Sequence, residues 1–320
     1  MPNIAIVNYC NLKCKYCFAD TMIHEKSTAI TIDDFCKILE FCSRIPGMNH
    51  VGIIGGEPTL HPQFKEILKE VNKYCRECDT NATLFTNGIE LEKFLPDIGE
   101  RIGILINCNS PDFQSTESFQ KQRQTLEHLN DLSWFDQKAN CGCNIYLDCN
   151  DYSYIWQIVD DFHLNHLRCS VVSPGGCYLD WRNDKEKYYE TLKPKFIQFC
   201  KDAQKHKCRL GMDCGHIPMC YFNLEERKII EEICDGLYMD FCEPVIDITP
   251  DFKATACFGA YDPIDIRDFN DINELHRYLL ATKTLPKAMA NCTGRCTTCK
   301  KHDLLQCQGG CLGFAQLKKD

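Results

Sequence analysis

Apolar positions up to about residue 207 fall into two alternating rhythms. Short apolar runs at residues 3–7, 50–54, 82–85, 102–106, 143–147 and 167–172 read as strands. Between and after them, residues 31–45, 63–75, 91–95, 120–132, 154–162 and 185–205 carry helical spacing. In the first of these, Ile32, Phe35, Leu39 and Cys42 share a face, and Thr31 with Asp34 resembles a capping box. About six strand–helix alternations predict a parallel sheet with helical crossovers. Alternation alone leaves open whether that sheet closes on itself.

From about Cys208 the runs shorten and turns and cysteines become denser. Residues 245–257 read as a hairpin and 271–281 as a helix. We expect a boundary near 207, giving units at 1–207 and 208–320. The stretch from Cys292 to Cys311 holds five cysteines in 20 residues and too few apolar residues for a core. No internal repeat or low-complexity segment is seen.

Composition narrows the class. With 320 residues, 44% hydrophobic and 25% charged, the chain reads as a soluble globular protein, not a disordered, collagenous or coiled-coil one. A net charge of −9 argues against nucleic acid or an anionic membrane as partner. No apolar run approaches the length of a membrane span, and the N-terminus lacks a signal-peptide pattern. The 25 cysteines are an odd number, and a cytoplasmic location that keeps them reduced is expected. Such clustered thiols bind metal or do chemistry, and suit an anaerobic cell because exposed thiolates oxidise readily.

Cys10, Cys14 and Cys17 follow the first strand with Cys-X3-Cys-X2-Cys spacing. Three thiolates on one loop can hold one face of an iron–sulfur cube and leave one iron open; a zinc site or coincidence are the plainer alternatives. Gly55-Gly56-Glu57-Pro58-Thr59 ends the second strand, where glycines allow close backbone approach and Glu57 can accept from an amine. Together with Tyr16, His61-Pro62 and the turn Phe85-Thr86-Asn87-Gly88, these residues resemble the radical S-adenosylmethionine (SAM) superfamily. The resemblance is close over residues 3–110 and weak to 207.

The resemblance implies an α/β fold, a partial (β/α)6 TIM-like barrel, followed by a small Cys-rich auxiliary-cluster domain. It implies a 4Fe–4S cluster on Cys10, Cys14 and Cys17 that binds and reductively cleaves SAM to a 5′-deoxyadenosyl radical, which takes hydrogen from substrate. An external reductant such as flavodoxin or ferredoxin would feed it. Tyr16 and Phe18 would flank the adenine, and Gly55, Gly56 and Glu57 would hold the methionyl amine. Asn107, Asn109 and Ser110 would reach the SAM ribose or carboxylate, or else form a polar turn; Ser170 is a similar candidate.

The C-terminal cysteines are similar to a SPASM auxiliary-cluster domain. Cys242-X14-Cys257 brackets the hairpin, and Cys296-X2-Cys299-X7-Cys307-X3-Cys311 follows, with a middle gap two residues longer than the family's. The family cysteine that follows this run is missing before Asp320, and Cys292 is the expected substitute. The resemblance then puts Cys292, Cys296, Cys299 and Cys307 on a distal cluster. Cys242, Cys257 and Cys311 go to a proximal one, completed by Cys214 or Cys220, with Cys234 a third candidate. Two auxiliary 4Fe–4S clusters result; one structural zinc on the tail is the alternative. Cys36, Cys42, Cys75, Cys169 and Cys200 sit at apolar-periodic positions and read as core.

Members with SPASM domains largely oxidise or crosslink peptides. Phe258 follows Cys257 where sulfatase-maturing members have an Asp, which disfavours that chemistry. The start of the chain leaves no room for a leader-recognition domain, so a separate leader-peptide-binding protein is expected. A radical SAM dehydrogenase or cofactor-building enzyme acting on a small molecule is the alternative, and a non-enzymatic electron-transfer protein a third.

Overall fold

The structure is a computed structural model that describes residues 1–17, 19, 27–45, 49–173, 180, 181, 183–214, 217–235, 242–304 and 306–315. Strands β1 (Asn3–Ala5), β2 (Val51–Ile54), β3 (Ala82–Thr86), β4 (Ile102–Asn107), β5 (Ala139–Ile145), β6 (His166–Val171), β7 (Arg209–Met212) and β8 (Cys234–Asp235) lie side by side in chain order, all parallel. Helices α1 (Ile32–Ser43), α2 (Phe64–Glu77), α3 (Thr116–Asp131), α4 (Ser153–Asp161), α5 (Lys185–Lys205) and α6 (Leu224–Ile233) form the crossovers. The hairpin of β9 (Asp247–Ile248) and β10 (Lys253–Thr255) returns to the other edge, where β9 pairs parallel with β1, and β11 (Ile264–Asp265) pairs with β10. The 11-stranded sheet is open, with β11 and β8 at its two ends. Strands from both sides of position 207 therefore share one sheet.

The elements form where the apolar pattern can be buried. Phe35, Ile38, Phe64, Ile67 and Val71 turn inward from α1 and α2 onto β1–β3 and are almost wholly buried. Cys42, Cys75, Cys169 and Cys200 join this core as small hydrophobes, whereas Cys36 stays half-exposed on α1. Thr31 caps α1 by accepting from the Asp34 amide (3.1 Å), but its hydroxyl donates to the Asp34 carboxylate (3.0 Å), so the reciprocal bond to the cap amide is replaced. The expected helix at 91–95 is a 3₁₀ turn, Glu92–Asp97, because Pro96 cannot continue an α-helix. The fifth strand begins earlier than its apolar run, since Ile104 N already donates to Lys138 O (2.8 Å). It ends at Ile145 and so releases Tyr146 into the loop above the sheet.

Candidate active site

The three cysteines of the first motif lie on the loop that leaves β1, at the C-terminal ends of the strands, the face where parallel α/β sheets bind ligands. Backbone pairing fixes this loop against the end of β2. Gly56 N donates to Val7 O (3.0 Å) and Glu57 N to Tyr9 O (2.9 Å). A Cβ on Gly55 would stand 2.5 Å from Val7 O, and one on Gly56 2.1 Å from Tyr9 O. The two glycines therefore let the protein's own loop backbone lie on the strand end. Asn8 fastens the loop from its other side, accepting from Thr28 N (2.6 Å).

Glu57 is buried, and its carboxylate meets four donors. Oε1 accepts from Thr59 N (3.1 Å), Thr59 Oγ1 (2.6 Å) and Thr86 Oγ1 (2.7 Å); Oε2 accepts from Asn87 N (2.7 Å). Burial pushes its pKa up, and these donors draw it back. Asn87 in turn donates from Nδ2 to Asn11 Oδ1 (2.7 Å), inside the cysteine loop. Glu57 thus acts on the loop through Asn87 and ties the ends of β2 and β3 together.

On the opposite side, Tyr16 OH donates to Asn109 Oδ1, which also receives the Cys14 thiol (3.7 Å). Tyr16 packs on Tyr146 (centroids 4.6 Å) and Phe113 (5.4 Å). Asn107 offers its carbonyl to Asn109 Nδ2 (3.1 Å) and Gln122 Nε2 (3.2 Å), so it braces Asn109. Ser110 caps the 3₁₀ turn Pro111–Phe113. Phe18 lies outside the described residues. Asn11, Asn87 and Tyr146 were missed by sequence reasoning as site residues; only Asn87 carried a signal, in its turn motif.

Burial and the neighbouring thiols raise the pKa of Cys10 and Cys14 to about 12, with Glu57 adding to the push on Cys10. Three thiols whose ionisation is opposed by burial and by one another form a donor set that a cationic centre would deprotonate and hold, and in that sense the loop fits an iron–sulfur cluster.

A second thiol group faces the same end of the sheet. Cys214 follows β7; its carbonyl accepts from Val171 N (3.1 Å) and its thiol faces Ser170 Oγ (3.8 Å). Ser170 also donates to Asp213 Oδ2 (3.4 Å), and Asp213 pairs with Arg168. Burial raises the pKa of Cys214, Cys257 and Cys311; after it, Asp213 and then Cys257 act on Cys214, Asp247 and then Cys311 and Cys242 on Cys257, and Cys242 and Cys214 on Cys311. The structure therefore gathers Cys214, Cys242, Cys257 and Cys311. Gly259 and Gly313 meet there over Ser173, which sequence reasoning also missed. Cys234 is elsewhere, buried beside Cys200 in the core.

The tail forms a third group. Cys296, Cys299 and Cys307 line an open cleft of about 120 Å³. Cys220 lines it too, apart from Cys214; Cys292 instead directs its thiol to His302 Nε2 (3.2 Å). Phe314, just beyond the segment, packs on Tyr188 and Tyr189, and polar contacts anchor the rest. Asn291 Nδ2 donates to Gln308 O (2.9 Å) and Gly310 O (3.1 Å), and Lys185 Nζ donates to Asn291 Oδ1 (2.8 Å) and O (2.7 Å). Gly310 has φ +100°, and a Cβ there would lie 2.2 Å from the Tyr189 hydroxyl. Among the described residues no three His, Cys, Asp or Glu side chains converge on a single-ion site.

Residues 4–134 match the Radical SAM superfamily. That segment is a radical SAM domain, and the family's cofactors are a 4Fe–4S cluster and SAM. Over 181 residues it is 31% identical to the S-adenosylmethionine-dependent nucleotide dehydratase of Fibrobacter sp. (strain UWH6), covering 49% of this chain and 50% of that protein. Over 113 residues it is 31% identical to a probable GTP 3′,8-cyclase of Methanococcus maripaludis, covering 34% of this chain and 37% of that protein. The chain thus spans half or less of the length of these curated relatives. Streptococcus suis SuiB bound to its precursor peptide SuiA superposes with TM-score 0.61 at 18% identity, over 97% of this chain and 71% of that one. SuiB bound to SAM gives 0.60 at 17% identity, over 97% and 72%. This likeness shows a shared fold that runs through the Cys-rich region. No described helix is long and apolar enough to cross a membrane.

Proposed function

We propose that this radical SAM enzyme oxidatively modifies or crosslinks a peptide or protein. One observation carries the reading: the group of Cys214, Cys242, Cys257 and Cys311 stands at the C-terminal end of β6 and β7, the same end of the sheet as the Cys10–Cys17 loop. A substrate above the strands then lies with one thiol group at each side. When bound, the first cluster with SAM supplies a hydrogen-abstracting radical, and auxiliary clusters on the C-terminal thiols supply one-electron acceptors.

The chain's own residues orient and enclose. Asn87, held by Glu57, and Asn109, held by Tyr16, grip the cysteine loop from two sides. The ring cluster of Tyr16, Phe113 and Tyr146 walls one flank and keeps water from it. SuiB was solved with a precursor peptide, and its fold likeness covers the tail as well as the barrel, which supports a peptide substrate here. The reading further places the enzyme in the cytoplasm, with flavodoxin or ferredoxin as electron donor and a separate leader-peptide-binding protein as partner.

A second reading, a small-molecule substrate, is favoured by the nucleotide dehydratase and GTP cyclase relatives, whose identity to this chain exceeds SuiB's. The test is anaerobic reconstitution followed by 5′-deoxyadenosine measurement with and without candidate peptides. Peptide-stimulated cleavage with a mass change on the peptide supports the first reading. Stimulation by a nucleotide alone refutes it.

A further inference from the structure

The tail cleft holds a distribution of thiols that spacing along the chain does not suggest. We infer that Cys220, rather than Cys292, supplies the fourth thiolate of the tail site, beside Cys296, Cys299 and Cys307. This rests on the reading that the C-terminal cysteines hold auxiliary clusters.

Four cysteines line the cleft, and Cys220 is the one that comes from outside the tail. It sits on the 3₁₀ turn Met219–Tyr221, between β7 and α6. That turn is fixed at both ends: Arg227 Nε donates to Met219 O (3.1 Å) and Phe222 O (3.0 Å). Arg295, the neighbour of Cys296, donates to Cys220 O (3.4 Å) and lays its guanidinium over the Tyr221 ring at 4.5 Å. The turn and the tail are therefore locked together at the cleft. Cys296 and Cys299 lie within electrostatic reach of the Cys220 thiol, as does Arg295.

Cys292 is placed otherwise. Exposed like Cys220 and within electrostatic reach of Cys296, it nevertheless is no part of the cleft wall: its thiol meets His302 Nε2 (3.2 Å), whose side chain lines the cleft in its place, and Met289 O (3.6 Å). Its sequence position next to Asn291 explains this, because the Asn291 side chain is drawn inward to Gln308 and Gly310 and the next residue turns out.

Thiol number agrees with the assignment. Cys214 goes to the group with Cys242, Cys257 and Cys311, which leaves Cys220 for the cleft. Two sets of four result, the complement that a fully thiolate-ligated 4Fe–4S cluster takes. Through Cys220 the tail cluster would also clip the C-terminal segment to the β7–α6 connection, so that metal loading orders the tail on the barrel.

The test uses the full chain, reconstituted anaerobically, as wild type, Cys220→Ser and Cys292→Ser. Iron and sulfide are counted, cluster types are read by Mössbauer and EPR spectroscopy, and exposed thiols are alkylated and mapped by mass spectrometry. The wild type should hold about 12 irons, Cys292→Ser the same, and Cys220→Ser about four fewer or a spectroscopically altered cluster. In the loaded wild type, Cys220 should resist alkylation while Cys292 reacts, a readout that needs no variant to fold. Loss of iron in Cys292→Ser, or protection of Cys292 with Cys220 labelled, overturns the inference. A wild type with about four irons overturns the auxiliary-cluster reading beneath it instead.

Discussion

Removing the Glu57 carboxylate tests how the cysteine loop is held. Glu57→Ala leaves two hydroxyls and two amides, at 2.6–3.1 Å from the carboxylate in the native chain, without their acceptor. A hydrogen bond to a charged acceptor contributes about 1.5–3 kcal/mol, but four such values do not add, because the threonine hydroxyls rotate and water enters. The partners left behind are neutral donors, and leaving buried donors unsatisfied costs about 1–3 kcal/mol each. Burial already penalises the Glu57 charge despite the donors, so about 3 kcal/mol in all is the expected loss. Glu57→Gln keeps the shape but turns an amide N–H toward one donor, for about 1–3 kcal/mol. Anaerobic urea unfolding of the reconstituted chain reads both. Because Asn87 reaches Asn11 at 2.7 Å, the alanine variant should also load less iron at the first site. An alanine variant with native stability and native iron, but weakened SAM binding, would refute this reasoning and return Glu57 to the methionyl amine.

Asp247 is buried, accepts from Asn3 Nδ2 and Phe258 N at 2.8 Å each, and has its pKa pushed up by burial from 3.8 to about 6. The folded chain thus holds this proton more tightly than the unfolded one; the contribution is fully present below pH 3.8 and is lost as pH rises through about 6. About 3 kcal/mol is at stake, from roughly two pKa units; Asp247→Asn should flatten the urea-unfolding profile across that window, and an unchanged profile would count against it. Asn291→Ala should lose about 1–3 kcal/mol, from the buried carbonyls it leaves unpaired. It should also speed proteolysis after residue 290; equal proteolysis would show that the tail is held by other means.

The barrel was largely legible because its strands are continuous apolar runs and its helices carry an apolar stripe; α5 occupies residues 185–205 as the spacing predicts. Where burial is slight the pattern fails. β7 buries only Leu210, and α6 only Ile230 and Ile233, so both elements went unseen. The radical SAM motif was legible as letters, but the mutual positions of its parts were not. The Asn11–Asn87 bond joins residues 76 apart, and the four donors to Glu57 come from the turn after β2 and from the end of β3. Cys214 and Cys220 looked interchangeable from their spacing. The fold separates them, Cys214 staying on the end of β7 while the chain turns away through Pro218 to the cleft.

If SAM is cleaved at the loop of Cys10, Cys14 and Cys17 independently of the C-terminal thiols, replacing those three cysteines by alanine abolishes cleavage alone. 5′-Deoxyadenosine formation by the anaerobically reconstituted chain, with dithionite as reductant, compares the native protein with that triple variant. The native chain should form product and the variant none, with about eight irons still bound by the variant's C-terminal groups. Product formation by the triple variant would contradict it.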